Sequence, residues 1–124
     1  MQPSMSIQSL ISQLTAFERQ RQNALRSFTL QDPLIIGSIT QTKGRCGKPN
    51  CECAKKPSHP ITLLMKTVNG KKRSQLIRKH DIERITKLWL GYKKLVSLLR
   101  ALKEIHQKEI ALLRQIIYKR SVEY

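Results

Sequence analysis

The chain has 124 residues and a formal net charge of +16, from 24 basic and 8 acidic side chains. This length fits one domain at most, and the scarcity of aromatic residues leaves Leu and Ile to supply its core. The charge favours binding to a polyanion through counterion release. No segment approaches the roughly 18 apolar residues of a membrane span, and the N-terminus lacks signal-peptide features. We therefore expect a cytoplasmic protein with no membrane contact.

Residues 1–32 are predicted to form an amphipathic helix of about 20 residues. Ser4 or Ser6 is placed to cap its start, and Asp32 ends it because a residue before a proline is driven out of the helical region. Apolar residues recur at three- and four-residue steps and define one stripe: Ile7, Leu10, Ile11, Leu14, Phe17, Ala24, Leu25 and Phe28. This helix is nearly neutral, which suits a packing element.

Residues 33–80 are predicted to form a small antiparallel sheet of three strands, "LIIGSITQT", "ITLLMKTV" and "KKRSQLIRK". The dipeptide Asn69-Gly70 lies between the last two strands and indicates a hairpin, since both of its positions take positive φ in the favoured turn. Three short strands are marginally stable without further support. We therefore expect something else to hold this sheet together.

Residues 81–124 are predicted to be mainly one long helix, because a second apolar stripe runs without proline from Asp81 to about Arg120. Forty helical residues span about 60 Å, which exceeds the length that the sheet can cover. The helix either kinks near Gly91, folds back near residues 103–107, packs against the first helix, or packs against another copy. We favour a homo-oligomer built on these helices as coiled coils. The expected fold class is α+β.

Three cysteines cluster between the first two strands in "RCGKPNCEC". Together with His59, the thiols of Cys46, Cys51 and Cys53 supply a Cys3His set, which is typical of structural zinc and closes the site to water. A metal ion bound by these residues would crosslink and stabilise so small a sheet. Cys51 and Cys53 reach one ion only if the backbone bends between them. His80 is the reserve ligand, while unliganded thiols and an iron–sulfur or redox centre remain open alternatives.

The segment "GSITQTKGRCGKPNCECAKKPSHP", followed by "NGKKR" and a long helix, resembles an uncharacterised family of small basic prokaryotic proteins. The resemblance covers roughly residues 36–100 and falls on the motif residues Cys46, Gly47, Pro49, Cys51, Cys53 and His59. This chain departs from the family where Pro60 directly follows His59, and its next strand has no aromatic pair. Some members occur beside transposases, so the resemblance implies a mobile-element context and no settled activity.

The positive charge is concentrated in the sheet region, where residues 41–80 hold eleven basic side chains against Glu52 alone. We predict nucleic-acid contacts, with DNA favoured over RNA, at Lys43, Arg45, Lys48, Lys55, Lys56, Lys71, Lys72, Arg73, Arg78 and Lys79. The scattered acids offer no catalytic carboxylate pair, and no Gly-rich phosphate loop is present, so we expect no enzyme. The sequence therefore favours a zinc-stapled nucleic-acid-binding accessory protein of a mobile-element or nucleoprotein complex. The alternative is a scaffold or adaptor whose basic head docks on an acidic protein.

Overall fold

The computed structural model describes residues 6–45 and 47–124. In chain order the elements are helix α1 (Ile7–Thr29), strands β1 (Ser38–Gly44), β2 (His59–Val68) and β3 (Lys71–Ile77), and helix α2 (Ile82–Arg120), with short 3-10 turns at Glu52–Ala54 and Lys79–Asp81. This order confirms the predicted α+β fold. No helix in those two ranges is both long enough and apolar enough to cross a membrane.

The chain divides into two compact units. The helical unit contains α1 and the part of α2 from Lys94 onwards, and the sheet unit contains Pro33–Lys93. α2 therefore contributes its first turns to one unit and its remaining turns to the other. It runs without a break through residues 103–107, so the alternative that the chain folds back there is wrong.

The sheet has the order β1-β2-β3, and both neighbouring pairs are antiparallel. The predicted hairpin is confirmed, because Val68 pairs with Lys71 across a two-residue turn. Both turn residues have positive φ, 53° at Asn69 and 79° at Gly70. Leu64 and Ile77 are buried on one face of the sheet, which supplies most of the small apolar core of this unit.

The first strand begins later than the sequence predicted. Leu34 and the residues that follow it were expected in the strand, but β1 starts at Ser38. Gly37 adopts a φ of 148°, which interrupts the extended strand geometry, and its carbonyl accepts a hydrogen bond of 2.8 Å from Trp89 Nε1. The segment before β1 is thus held by the beginning of α2 instead of by a neighbouring strand.

Ser6 caps α1, since its Oγ accepts a hydrogen bond of 3.1 Å from the Ser9 amide; the other predicted cap, Ser4, lies outside the described residues. The two helices of the helical unit meet along a seam with seven-residue periodicity, which is typical of coiled coils. The buried seam residues are Leu10, Ala24, Ile105 and Leu112. Packing of the first helix against the last one, which the sequence left open, is therefore observed within a single chain.

The helices of this seam run antiparallel, as the chain connection requires. Ile35 N donates to Leu88 O at 3.2 Å, and Ile35 lies only six residue steps after the end of α1 at Thr29. Six residues span at most about 21 Å. A parallel arrangement would place Thr29 near residue 117, about 44 Å along α2 from Leu88, which the connection cannot reach.

One ion pair crosses the seam between Arg21 on α1 and Glu109 on α2. Both residues occupy seam positions, because Arg21 lies three residues before the buried Ala24 and Glu109 three residues before the buried Leu112. Nearby, Lys108 Nζ lies 5.8 Å from the centre of the Phe17 ring. The pair fixes the relative register of the two helices, since each charge has its partner at one height only.

Candidate metal site and basic surface

The cysteine loop begins with a tight turn. The amide of Cys51 donates to the carbonyl of Lys48 at 3.2 Å, which closes a four-residue turn with Pro49 at its second position, where the fixed φ of proline fits. Gly47 precedes the turn with a φ of 86°. Gly47 and Pro49 thus supply the backbone conformations on which this tight turn depends.

The backbone bends between the two described cysteines. Cys51 has extended dihedral angles, φ −86° and ψ 145°, and the next residues form the 3-10 turn Glu52–Ala54. The amide of Ala54 donates to Cys51 O at 3.0 Å and so holds this turn in place. The bend is the condition that the sequence set for Cys51 and Cys53 to reach one ion, because on a straight strand they would diverge.

Cys51, Cys53 and His59 come together at the start of β2, with their ligand atoms all within 4.8 Å of one another. Cys51 Sγ lies 3.1 Å from His59 Nε2. In a tetrahedral zinc site with ordinary bond lengths, neighbouring sulfur and nitrogen ligands are about 3.6 Å apart, so small rotamer changes would suffice. The three residues are thus close enough to bind a metal ion.

Burial gives this group an inner and an outer side. Cys53 is 0% exposed, Cys51 is half-buried and His59 is exposed, so an ion held here would lie at the edge of the sheet. The fourth predicted ligand, Cys46, lies outside the described residues. The reserve ligand His80 does not join the group, since its Nε2 lies 3.6 Å from Asp81 Oδ2 and its side chain is 74% exposed.

All ten predicted nucleic-acid contacts are exposed. Within the described ranges none of them forms an ion pair; the ion pairs there join Arg21 to Glu109, and both His80 and Arg84 to Asp81. Glu52, the acid within the cysteine loop, is exposed and forms no ion pair in the described structure. The positive charge of the sheet unit is therefore not neutralised by its own acids.

The strand register separates these ten residues into two groups. Lys43 pairs with Pro60 at the start of β2, and Ile77 pairs with Thr62, so the residues after Ile77 return to the same end of the sheet. We call this group the loop-end cluster; it contains Lys43, Arg45, Lys48, Lys55, Lys56, Arg78 and Lys79. Eight residue steps along β2 separate Pro60 from Val68, which amounts to about 27 Å.

The turn-end cluster lies at the other end of β2 and contains Lys71, Lys72 and Arg73. The predicted contacts omitted Lys66, which the register adds here because it pairs directly with Arg73. Two like charges opposite each other destabilise a strand pair unless an anion lies between them. The signal in the sequence was the position of Lys66, since it lies as far before Asn69-Gly70 as Arg73 lies after it.

These observations define a basic α+β protein with a Cys-Cys-His group at the end of its sheet. The chain belongs to the family described as "Domain of unknown function (DUF6788)", whose model matches residues 12–87. That range includes the whole sheet and the cysteine loop, and the family is an uncharacterised one, as predicted. The cysteine motif as a mark of the family and the genomic setting beside transposases stay predictions. No curated protein and no solved structure matches the chain.

Proposed function

We propose that this chain is a non-catalytic nucleic-acid-binding protein that contacts the phosphate backbone through its sheet unit. The observation that carries the proposal is the set of exposed cations without ion pairs at both ends of a single sheet. Lys66 and Arg73 stand opposite each other on the strand pair, and Lys66 Nζ donates to Gln75 Oε1 at 3.3 Å. A bound anion would offset the two like charges that the register brings together.

The metal that we propose is zinc, held by Cys51, Cys53 and His59, with Cys46 as the fourth ligand. Two thiolates and an imidazole are soft and borderline donors of the kind that zinc prefers, and a four-ligand set gives a structural site. Bound zinc would supply a crosslink between the loop and the start of β2. The loop also carries Arg45, Lys48, Lys55 and Lys56, so this crosslink would hold four cations in a fixed arrangement.

The polynucleotide that this surface fits is a duplex. Binding of single strands relies on aromatic side chains that stack on bases, and the only aromatic residues of the sheet unit are Trp89 and Tyr92. The Trp89 indole is engaged by the Gly37 carbonyl and by Lys93, whose Nζ lies 4.7 Å from the ring centre. Contacts from lysine and arginine to phosphates position a protein on a duplex without reading its sequence.

The proposal is tested by fluorescence anisotropy with a labelled 24-base-pair DNA duplex at several salt concentrations. The test variant carries Lys71→Glu, Lys72→Glu and Arg73→Glu. The matched control carries Arg19→Glu, Arg100→Glu and Arg114→Glu, three exposed positions of the helical unit, and changes the net charge equally. We expect the test variant to flatten the slope of log affinity against log salt by about 2.7, at 0.9 per lost phosphate contact, and the control to keep the wild-type slope.

Two results would overturn the proposal. If wild-type protein does not bind the duplex at 50 mM salt, the adaptor whose basic head docks on an acidic protein takes its place. If both triple variants lose affinity and slope equally, only the overall charge matters and the clusters are not the contact surface. An RNA duplex of the same length in the same titration measures the predicted preference for DNA.

A further inference from the structure

The sheet unit contains a cleft of about 600 Å³, which is lined by residues of β2, β3, the segment before β1 and the start of α2. Leu64 on β2 and Ile77 on β3 form its floor, and they are 6% and 8% exposed. Ile35 and Ile85 at its sides are half-buried. Ligand sites in proteins measure about 300–1000 Å³ and combine a mainly apolar lining with a few polar groups. The cleft therefore has the size and the apolar wall of a small-molecule site.

The strand register places polar groups beside the apolar floor. Successive side chains of a strand point to opposite faces, so Lys66 lies on the same face as Leu64, two residues further along β2. Gln75 pairs directly with Leu64 and lies on that face as well. Lys66 and Gln75 both line the cleft, and Lys66 Nζ donates to Gln75 Oε1 at 3.3 Å. One end of the floor is therefore bounded by an ammonium group and a side-chain amide.

The charged side chains that line the cleft are mostly basic, with Lys66, Arg78 and Arg84 against Asp81 alone. Both carboxylate oxygens of Asp81 already have cations, because Oδ1 lies 3.3 Å from Arg84 Nη2 and Oδ2 lies 3.6 Å from His80 Nε2. Among the described residues Lys66 forms no ion pair. Its ammonium group carries three donors, of which two remain after the hydrogen bond described above. An acidic ligand group therefore has a place at Lys66.

Two large apolar side chains stand where the cleft opens to solvent. Ile36 is 66% exposed and Leu76 is 59% exposed, and both line the cleft. The apolar lining therefore continues from the buried floor to the surface. A ligand with an extended apolar body would remove these two side chains from water together with the floor, which is favourable in proportion to the apolar area covered.

We propose that this cleft binds a small amphipathic anion, an apolar body joined to one acidic group. The body lies on Leu64 and Ile77, and the acidic group accepts hydrogen bonds from Lys66 Nζ and from the amide nitrogen of Gln75. A single negative charge suits the ligand, because Lys66 supplies one ammonium group beside the floor. An anion without a body would leave the apolar wall in contact with water, and a cation of the same shape would be repelled by the basic lining.

Titration of the full chain with hexanoate, octanoate and decanoate, followed by the amide NMR signals of isotope-labelled protein, tests the proposal. Each buried methylene strengthens binding about fourfold, so the dissociation constant should fall about 15-fold at each step of the series. The signals of Leu64, Gln75 and Ile77 should shift and saturate. Those of Leu99 and Leu113, which are exposed apolar residues of the helical unit, should not. Decylammonium, with the same body and the opposite charge, should bind at least about tenfold more weakly than decanoate.

A pair of isosteric variants tests the position of the acidic group. Gln75→Glu places a carboxylate beside Lys66, so it should weaken decanoate binding about tenfold and strengthen decylammonium binding. The matched control is Gln41→Glu, which makes the same change of charge at an exposed position of β1 away from the cleft lining. The control should bind decanoate as the wild type does. Circular dichroism establishes that both variants remain folded.

Several results would overturn the proposal. One is a lack of decanoate binding at millimolar concentration, and another is an affinity that does not depend on the length of the apolar body. Shifts confined to the helical unit, or equal decanoate binding by Gln75→Glu and Gln41→Glu, would also refute it. The titration contains no nucleic acid, and the cleft does not depend on duplex binding, so the failure of one proposal is distinguishable from the failure of the other.

Discussion

The ion pair inside the helical seam leads to a prediction about stability. The Glu109 side chain is 12% exposed, whereas that of Arg21 is 36% exposed. Loss of its partner therefore destabilises the carboxylate of Glu109 more than the guanidinium of Arg21. Replacing Arg21 by Leu leaves a nearly buried carboxylate without its partner. We expect Arg21→Leu to lower the free energy of unfolding by about 3 kcal/mol, the lower end of the range for broken buried pairs, because the arginine is partly hydrated.

The reciprocal variant should be milder. In Glu109→Leu, the long stem of Arg21 can carry its guanidinium to water, and the new leucine lies in an apolar seam, so we expect a loss below about 1 kcal/mol. The double variant Arg21→Leu, Glu109→Leu has an uninterrupted apolar seam. Replacing a buried ion pair by packed apolar residues is neutral or stabilises by about 1–4 kcal/mol, so the double variant should match or exceed the wild type.

Urea unfolding at pH 7, followed by circular dichroism at 222 nm and at one fixed protein concentration, measures all four proteins of this cycle. With a slope of about 2 kcal/mol/M, the loss in Arg21→Leu moves the midpoint down by about 1.5 M. Equal losses in the two single variants would contradict the unequal burial described above. A double variant less stable than Arg21→Leu would refute the placement of both residues in the seam.

Two further predictions concern the sheet unit. Elemental analysis should find about one zinc ion per chain in the wild type and in His80→Ala. Cys53→Ser should lose the zinc and have a lower melting temperature. A folded Cys53→Ser protein that retains zinc would rule out Cys53 as a ligand. The second prediction compares alanine substitutions at two glycines. Gly37→Ala should lower the free energy of unfolding by about 2–4 kcal/mol, because a Cβ there would lie 2.6 Å from Met65 O at a φ of +148°. Gly70→Ala should lower the free energy of unfolding by only about 1 kcal/mol, since its Cβ would meet nothing within 4 Å. Equal losses in the two variants would contradict the close approach of Met65 O to Gly37.

Local chemistry made the sheet and the metal group predictable from the sequence. Asn69-Gly70 fixes a two-residue turn, which sets the whole β2–β3 register. Cys51, Cys53 and His59 lie within nine positions of one another, so a short loop needs only one bend to bring them together. The start of β1 was misplaced because the conformation of Gly37 depends on Trp89, which is distant in sequence.

Charged residues at apolar positions made the helical unit harder to predict. Arg21 and Glu109 interrupt the apolar stripes of their helices. Glu109 lies just after residues 103–107, where the sequence allowed the chain to fold back instead of continuing as one helix. Each charge is tolerated at its position only because the other is present on the partner helix. A single helix carries no information about that partner, and the pairing could not be inferred from either stripe alone.

If the protein binds nucleic acid as proposed, the separation of its basic residues into two clusters sets the length of nucleic acid that it covers. Counting charges along the sequence suggested one basic head, but β2 holds the loop-end and turn-end clusters about 27 Å apart. A duplex rises about 3.4 Å per base pair, so this distance corresponds to about eight base pairs. Shorter duplexes can contact one cluster only, and affinity should rise in a step once a duplex exceeds that length. The number of residues in one strand would then set the minimum footprint of the protein.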